Sequence, residues 1–374
     1  VNEKLIIKNF GPIKDVTINL NRVNVIIGKQ STGKSTIAKL VAIFKTKNFL
    51  VKSRHNERIK IFNQYNLQSH FKTDTFIEYV SKEYKIKYQK EKFTVKASAN
   101  LNPLIKKYQL LTSLIANSPD KINETLDQRE EVSALLDKIK KEFIYFPTER
   151  ILISSLPSVS AFRDRGVITL PEYLIALREE YESCRIRTAS LNIDFLGVVF
   201  KHQKATNNDL ISFDGNLIPL SQTASGIQSI IPLVTVMESW ASGNSVEGIF
   251  LIEEPESNVF PSTQYELVKY IVSKCLHYDD SVLLTTHSPY VLTSLNNLVK
   301  ASIVGNKKPK ETNKIIDKQY WIKPEFLNAI MLTEDGFCEN IVAEDGLIMA
   351  EKIDVVSSLI NEEYDRMLDI HFAK

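Results

Sequence analysis

The sequence predicts an α/β fold built around a phosphate-binding loop, and three stretches carry that prediction. The first is Val23-Asn24-Val25-Ile26-Ile27, a mostly apolar, β-branched run of strand length, followed by Gly28-Lys29-Gln30-Ser31-Thr32-Gly33-Lys34-Ser35. Beyond this octet, Ile37, Leu40, Val41 and Phe44 recur at helical spacing. The second and third stretches are Ile249-Phe250-Leu251-Ile252, which ends in Glu253-Glu254, and Val282-Leu283-Leu284-Thr285-Thr286, which ends just before His287. Buried strands of open α/β sheets bring ligand-binding groups to their carboxyl ends in this way.

The octet fits G-x-x-x-x-G-K-[ST], and strand, glycine loop and helix stand in the order that phosphate binding needs. Glycines let backbone N–H groups curl around a phosphate, and the helix N-terminus adds partial positive charge. In such a loop Lys34 reaches the β- and γ-phosphates and Ser35 places its hydroxyl on Mg²⁺. The sequence is therefore expected to bind a nucleoside triphosphate.

With 374 residues the chain has room for one large domain or two of ordinary size, and 43% apolar with 25% charged residues suits a globular protein in water. The longest apolar runs, such as Ile230-Ile231-Pro232-Leu233-Val234, are far short of a membrane span. Cys184, Cys275 and Cys338 are scattered and form no metal or redox motif. No signal peptide is read at the N-terminus, and the expected location is the cytoplasm. Net charge is +2 but uneven: residues 45–107 hold 15 Lys/Arg against 5 Asp/Glu, and residues 334–374 hold 11 Asp/Glu against 3 Lys/Arg. The basic segment suits a solvated helical face, contact with nucleic acid, or contact with an acidic protein surface such as that of another subunit, with Lys82, Lys85, Lys87, Lys90 and Lys92 its densest cluster.

Taken in order, Leu5-Ile6-Ile7 and Val16–Leu20 read as strands about the turn Gly11-Pro12, expected to form a small sheet with Val23–Ile27. Residues 1–48 are expected to be the first part of the core. A mainly helical basic insertion follows over 49–143, interrupted by a hairpin near Ile86-Lys87-Tyr88 and Phe93-Thr94-Val95. Its long helix is expected over Ile122–Phe143, burying Leu126, Val132, Leu135, Leu136 and Ile139. The core resumes over 144–300 with Ile144-Tyr145-Phe146, a helix after Leu170-Pro171-Glu172 and strands around Leu210–Phe213 and Leu217–Leu220. Residues 301–374 read as a hairpin near Ile330–Val342 and an acidic helix carrying Ile353, Val356, Ile360, Tyr364 and Met367, appended to the core.

Three motifs in the second half bear chemistry. Ser225-Gly226 opens an apolar helix, either as an N-cap or as a hydroxyl and bare N–H groups offered to an anion. Glu253 is placed to hold the Mg²⁺ shell, and Glu254 to orient or deprotonate an attacking water. His287, just beyond a core strand, is placed to sense the γ-phosphate.

Phosphate loop, serine-glycine signature, strand with two acids, then strand with histidine is the order found in ABC-type ATPases. The wording Ile252-Glu253-Glu254-Pro255-Glu256 with Phe260-Pro261, and Thr285-Thr286-His287-Ser288-Pro289-Tyr290, resembles the OLD and RecF-like branch. Tyr145-Phe146-Pro147-Thr148-Glu149-Arg150 and Asn361-Glu362-Glu363-Tyr364-Asp365 are similar to stand-alone bacterial members of it. The resemblance implies a mixed sheet flanked by helices, ATP with Mg²⁺, and two heads sandwiching two ATP molecules. Gly28, Lys29, Gln30, Ser31, Thr32, Gly33, Lys34, Ser35 and Thr36 would form the loop, and Asn9 would touch the adenosine. Glu253, Glu254 and His287 would serve hydrolysis, with Ser35 and Glu253 at the metal. Ser225 and Gly226 would complete the partner's site. The sequence departs from the family at Ile227, where a second glycine is usual, and at Glu253, where an aspartate is usual. No loop glutamine is evident, and Glu149 or Arg150 is the candidate replacement.

About 74 residues follow Lys300, too few for the Toprim nuclease of a full-length OLD protein. The expected function is an ATPase switch, its hydrolysis slowed by these departures, that forms a homo-oligomer and controls a separately encoded effector in anti-phage defence. The alternative is a RecF- or SMC-like ATPase acting on DNA in repair or maintenance. No membrane partner is expected.

Overall fold

The structure is a computed structural model describing residues 3–117, 122–139, 142–156, 170–241, 248–278, 280–349, 352 and 355–372. In chain order the first strands are β1 (Glu3–Phe10), β2 (Ile13–Leu20), β3 (Val23–Gly28), β4 (Phe71–Val80), β5 (Tyr84–Gln89), β6 (Lys92–Ala97) and β7 (Glu142–Phe146). After these come β8 (Ser190–Ile193), β9 (Val198–Gln203), β10 (Asn208–Phe213), β11 (Asn216–Pro219), β12 (Gly248–Glu253), β13 (Ser281–Thr286), β14 (Leu327–Leu332) and β15 (Cys338–Asn340). The helices are α1 (Lys34–Lys45), α2 (Lys47–Val51), α3 (His55–Gln64), α4 (Leu101–Asn117), α5 (Ile122–Ile139) and α6 (Glu172–Arg187). They continue with α7 (Ser225–Ala241), α8 (Pro261–His277), α9 (Pro289–Gly305), α10 (Pro309–Ile315) and α11 (Val355–Phe372).

The core sheet runs β15-β14-β3-β13-β12-β7, parallel except for β15. β3, β12 and β13 are buried almost end to end without alternation, as strands covered on both faces are. Helix α1 packs against β3, β7, β12 and β13, and α8 and α9 pack on each other, with α8 also on β13. Because β3, β12 and β13 run the same way, Ile27 stands opposite Thr286 and Glu253 opposite Thr285. The residues that follow these strands therefore gather at one edge of the sheet.

Two antiparallel sheets flank this core, β2-β1-β4-β5-β6 and β11-β10-β9-β8. Here burial alternates along β1, β2 and β5, the mark of one covered face. A buried Lys45–Glu3 ion pair at 2.8 Å, with Tyr79 donating to Glu3 at 2.6 Å, ties α1 to the first of them. Among the described residues no helix is long and apolar enough to cross a membrane.

Four expectations need correction. β3 does not join β1 and β2 but lies inside the core sheet, as its unbroken apolar run allows. The expected hairpin is present as β5–β6, but β4 was unforeseen, and it pairs with β1. The helix expected over 122–143 ends at Ile139, and the next strand begins at Glu142. Val132 and Leu136 are buried, whereas Leu135 is 46% exposed; the side chain of Ile139 lies outside the described set. Finally, the hairpin beyond 300 is no appendage: β14 pairs with β3 in the core sheet. Along α11, Ile360, Tyr364 and Met367 are exposed, while Ile353 lies outside the described residues.

Candidate nucleotide site

The loop between β3 and α1 turns on Ser31 and Gly33, both at positive φ (64° and 104°). A Cβ on Gly33 would come within 2.9 Å of Ile13, so the loop rests directly on the turn between β1 and β2. Thr32 Oγ1 donates to the Lys29 carbonyl at 2.8 Å. The Lys34 ammonium donates to the carbonyls of Gly28 and Lys29, both at 2.8 Å. Burial lowers its pKa to about 8, opposed by Glu254, Glu256 and Glu253. The first-turn N–H groups of α1 have no intrahelical acceptors and offer an anion site. Lys29 pairs with Glu334, which lies in the turn between β14 and β15.

Glu253, at the end of β12, is 3% exposed. Its Oε2 accepts from Ser35 Oγ at 3.0 Å and Thr148 Oγ1 at 3.3 Å, and its Oε1 accepts from Tyr145 at 2.7 Å. Burial raises its pKa, while Tyr145, Lys39 and Ser35 oppose the shift. A hydroxyl and a carboxylate side by side fit Mg²⁺, a hard cation that takes its remaining ligands from phosphate and water. Among the described residues no group of three or more His, Cys, Asp or Glu is placed to hold a metal by itself.

Glu254 sits in the left-handed region at φ 41°. Its N–H donates to the Thr285 carbonyl at 2.8 Å, and its carboxylate accepts from Ser257 at 3.0 Å and lies 3.5 Å from His287 Nε2. Burial lowers the His287 pKa, helped by Lys34 and opposed by Glu254 and Glu256. Glu256, assigned no role from the motifs, accepts from Thr286 Oγ1 and the His287 N–H, both at 2.7 Å. It thereby fixes the loop that carries the histidine.

Ser225 and Gly226 open α7, as expected. Ser225 is exposed, and a Cβ on Gly226 would lie 2.7 Å from the Asn258 carbonyl, so only glycine fits this approach. Among the described residues no hydrogen bond or ion pair joins Ser225 or Gly226 to the phosphate loop. Asn9 stands at the end of β1 with its amide donated to Asp74 at 2.7 Å. The structure therefore brings Lys34, Ser35, Glu253, Glu254 and His287 together, and bonds the Asn9 amide to Asp74 rather than to the loop. Nor does either proposed substitute for the loop glutamine reach the Glu253 carboxylate. Glu149 accepts from Tyr173 at 3.4 Å, and Arg150 donates to main-chain carbonyls; Thr148 is the neighbour that reaches it. The donor from Tyr145 was missed because a tyrosine within an apolar strand looks like core.

A mixed sheet flanked by helices, with a phosphate loop after one strand and acids after another, is the build of a P-loop ATPase. The enzyme hydrolyses ATP, and this fold generally uses Mg²⁺. The AAA ATPase domain family matches residues 3–157 and 169–292, more than half of the chain, and the protein belongs to that family. No curated protein matches its sequence. Among solved structures, the chain is similar to the SMC head domain from Thermotoga maritima, at 12% identity, 91% of this chain, 98% of that one and TM-score 0.42. It is also similar to the SmcHead bound to the C-winged helix domain of ScpA, at 8% identity, 90% and 96% coverage and TM-score 0.46. A third is the Smc head domain with an extended coiled coil bound to the C-terminal domain of ScpA from Pyrococcus furiosus, at 8%, 95% and 98%, with TM-score 0.40.

Proposed function

We propose that this protein is an OLD-like ATP switch of the cytoplasm: two copies close around two ATP molecules and control a separately encoded effector in bacterial anti-phage defence. Lys34 and the α1 N-terminus bind the β- and γ-phosphates, and Ser35 with Glu253 holds Mg²⁺, which neutralises phosphate charge when bound. Glu254 accepts the proton of the attacking water, and His287 answers to the γ-phosphate. Ser225 and Gly226 reach the nucleotide of the other copy. The observation that carries the reading is the exposure of Ser225 at the start of α7, with no hydrogen bond or ion pair to its own phosphate loop among the described residues. A serine-glycine helix start that is exposed and not hydrogen-bonded to its own loop suits a surface completed by a second copy. Control of an effector rests on the OLD-like resemblance alone. The test is mass by light scattering for Glu254→Gln, which keeps the side chain's shape but removes its basicity. With Mg²⁺ and ATP it is expected to be a dimer and without nucleotide a monomer; one mass in both states overturns the switch.

The RecF- or SMC-like reading is favoured by a different surface. On the uncovered face of β2-β1-β4-β5-β6, alternation and register align Lys4 and Lys8 with Lys85, Lys87, Lys92 and Lys96, against Asp15 and Glu78. Lys90 stands in the turn between β5 and β6. A lysine-bearing sheet face of this kind suits the backbone of a nucleic acid.

A further inference from the structure

We infer that Arg150 is a positioning residue for hydrolysis: its guanidinium grips the main-chain carbonyls of Glu253 and Glu254 and so aims the Glu254 carboxylate. The inference rests on Glu254 being the base. Arg150 lies just beyond β7, in the turn Thr148–Ser154, and is 1% exposed. Its NH1 donates to the Glu253 carbonyl at 2.5 Å and its NH2 to the Glu254 carbonyl at 2.8 Å. A planar fork spanning two successive carbonyls fixes the peptide plane between them, which a lysine ammonium cannot do.

That peptide plane matters because of the conformation Glu254 adopts. A non-glycine residue at φ 41° is strained and persists only where its surroundings over-determine it. Here the N–H is held by Thr285 and the C=O by Arg150, so the main chain is fixed on both sides of the Glu254 Cα. Freed at the carbonyl, the residue relaxes toward negative φ and its carboxylate swings away from His287 and Ser257. Burying a guanidinium here is tolerable because Glu256, Glu254 and Glu253 all favour its charged form. Two buried atoms without hydrogen-bond partners, Arg150 Nε and Glu256 Oε2, belong to this same group. Glu256, whose charge favours that of Arg150, in turn holds the His287 N–H.

The test is Arg150→Lys, read by ATP affinity, steady-state kcat and the residual single-turnover rate in a Glu254→Gln background. Expected are ATP affinity within about twofold of wild type and kcat lower by about 10- to 100-fold, the penalty of misplacing a reacting group by about 1 Å. In the Glu254→Gln background the same change is expected to alter the residual rate by less than about twofold, because there is no base left to aim. Wild-type kcat for Arg150→Lys alongside an inactive Glu254→Gln overturns the inference and leaves the base in place. A matched loss of affinity and rate, or full additivity with Glu254→Gln, also overturns it, since it shows general structural damage. A wild-type rate in Glu254→Gln overturns the base and the inference with it. Should Arg150→Lys not fold, Arg150→Gln, which keeps one amide donor, is read by the same criteria.

Discussion

Replacing Lys34 by methionine separates what the phosphate loop costs the fold from what it does for ATP. Burial lowers the ammonium's pKa from 10.5 to about 8, so the unfolded chain holds this proton more tightly than the folded one. The cost to stability is therefore fully present below about pH 8 and is relieved as pH rises toward 10.5. At about 1.4 kcal/mol per pKa unit the drop is worth ~3 kcal/mol, which solvent at the mouth of the loop screens to ~1–2 kcal/mol. In urea unfolding at about pH 7, Lys34→Met is expected to be more stable than wild type by ~1–2 kcal/mol, and the gap is expected to narrow by about pH 9.5. Direct titration is expected to find ATP binding lost in the variant. In the wild type, affinity is expected to weaken by up to about tenfold per unit above pH 8, as the loop gives up its charge. A variant less stable than wild type, with a gap that ignores pH, would refute the reasoning.

Glu253 shows the opposite linkage. Burial raises its pKa, so the folded state binds the proton more tightly, and stability falls as pH rises from the ordinary carboxylate range through the raised value. Glu253→Gln is expected to unfold at higher urea than wild type at neutral pH, to lose that advantage in acid, and to bind ATP no better with Mg²⁺ than without. Equal midpoints at all pH values would count against a buried, ionised Glu253. On the lysine face, Lys85→Glu with Lys96→Glu is expected to weaken binding to DNA or RNA of any sequence and to reduce the salt slope by about one for each phosphate no longer neutralised. Wild-type affinity and slope would remove that face from consideration.

How much could be read in advance followed from the range of each interaction. β3, β12 and β13 were legible because strands buried on both faces are continuous apolar runs, and the acids and histidine follow them directly in sequence. The β5–β6 hairpin was legible from alternation and its short turn. β4 was not, because its first half, Lys72-Thr73-Asp74, is polar and its partner β1 is remote in the chain. β14 was seen as part of a hairpin, but nothing local in Leu327–Leu332 tells that it lies beside β3. Arg150 stood out only as a candidate for the loop glutamine, and its actual contacts were hidden for a related reason: it recognises main-chain carbonyls, which leave no residue type to find. Leu135 fits the helical stripe of α5 yet is exposed, because the adjacent Leu136 takes the covered position.

The central claim is that each nucleotide site is completed by Ser225 and Gly226 of a second copy, and mixing two inactive variants tests it most directly. Ser225→Arg puts bulk and charge where two copies would meet while leaving Lys34, Ser35 and Glu254 in place; Glu254→Ala keeps the signature but has no base. In a mixed dimer one site retains both Glu254 and the partner's serine, and the other retains neither. Each variant alone is expected to be nearly inactive, and an equal mixture to recover up to about a quarter of the wild-type rate, since random pairing makes half of the dimers mixed with one whole site each. A Ser225→Arg protein that hydrolyses ATP at the full rate as a monomer would contradict the claim, because the site would then be complete within one chain.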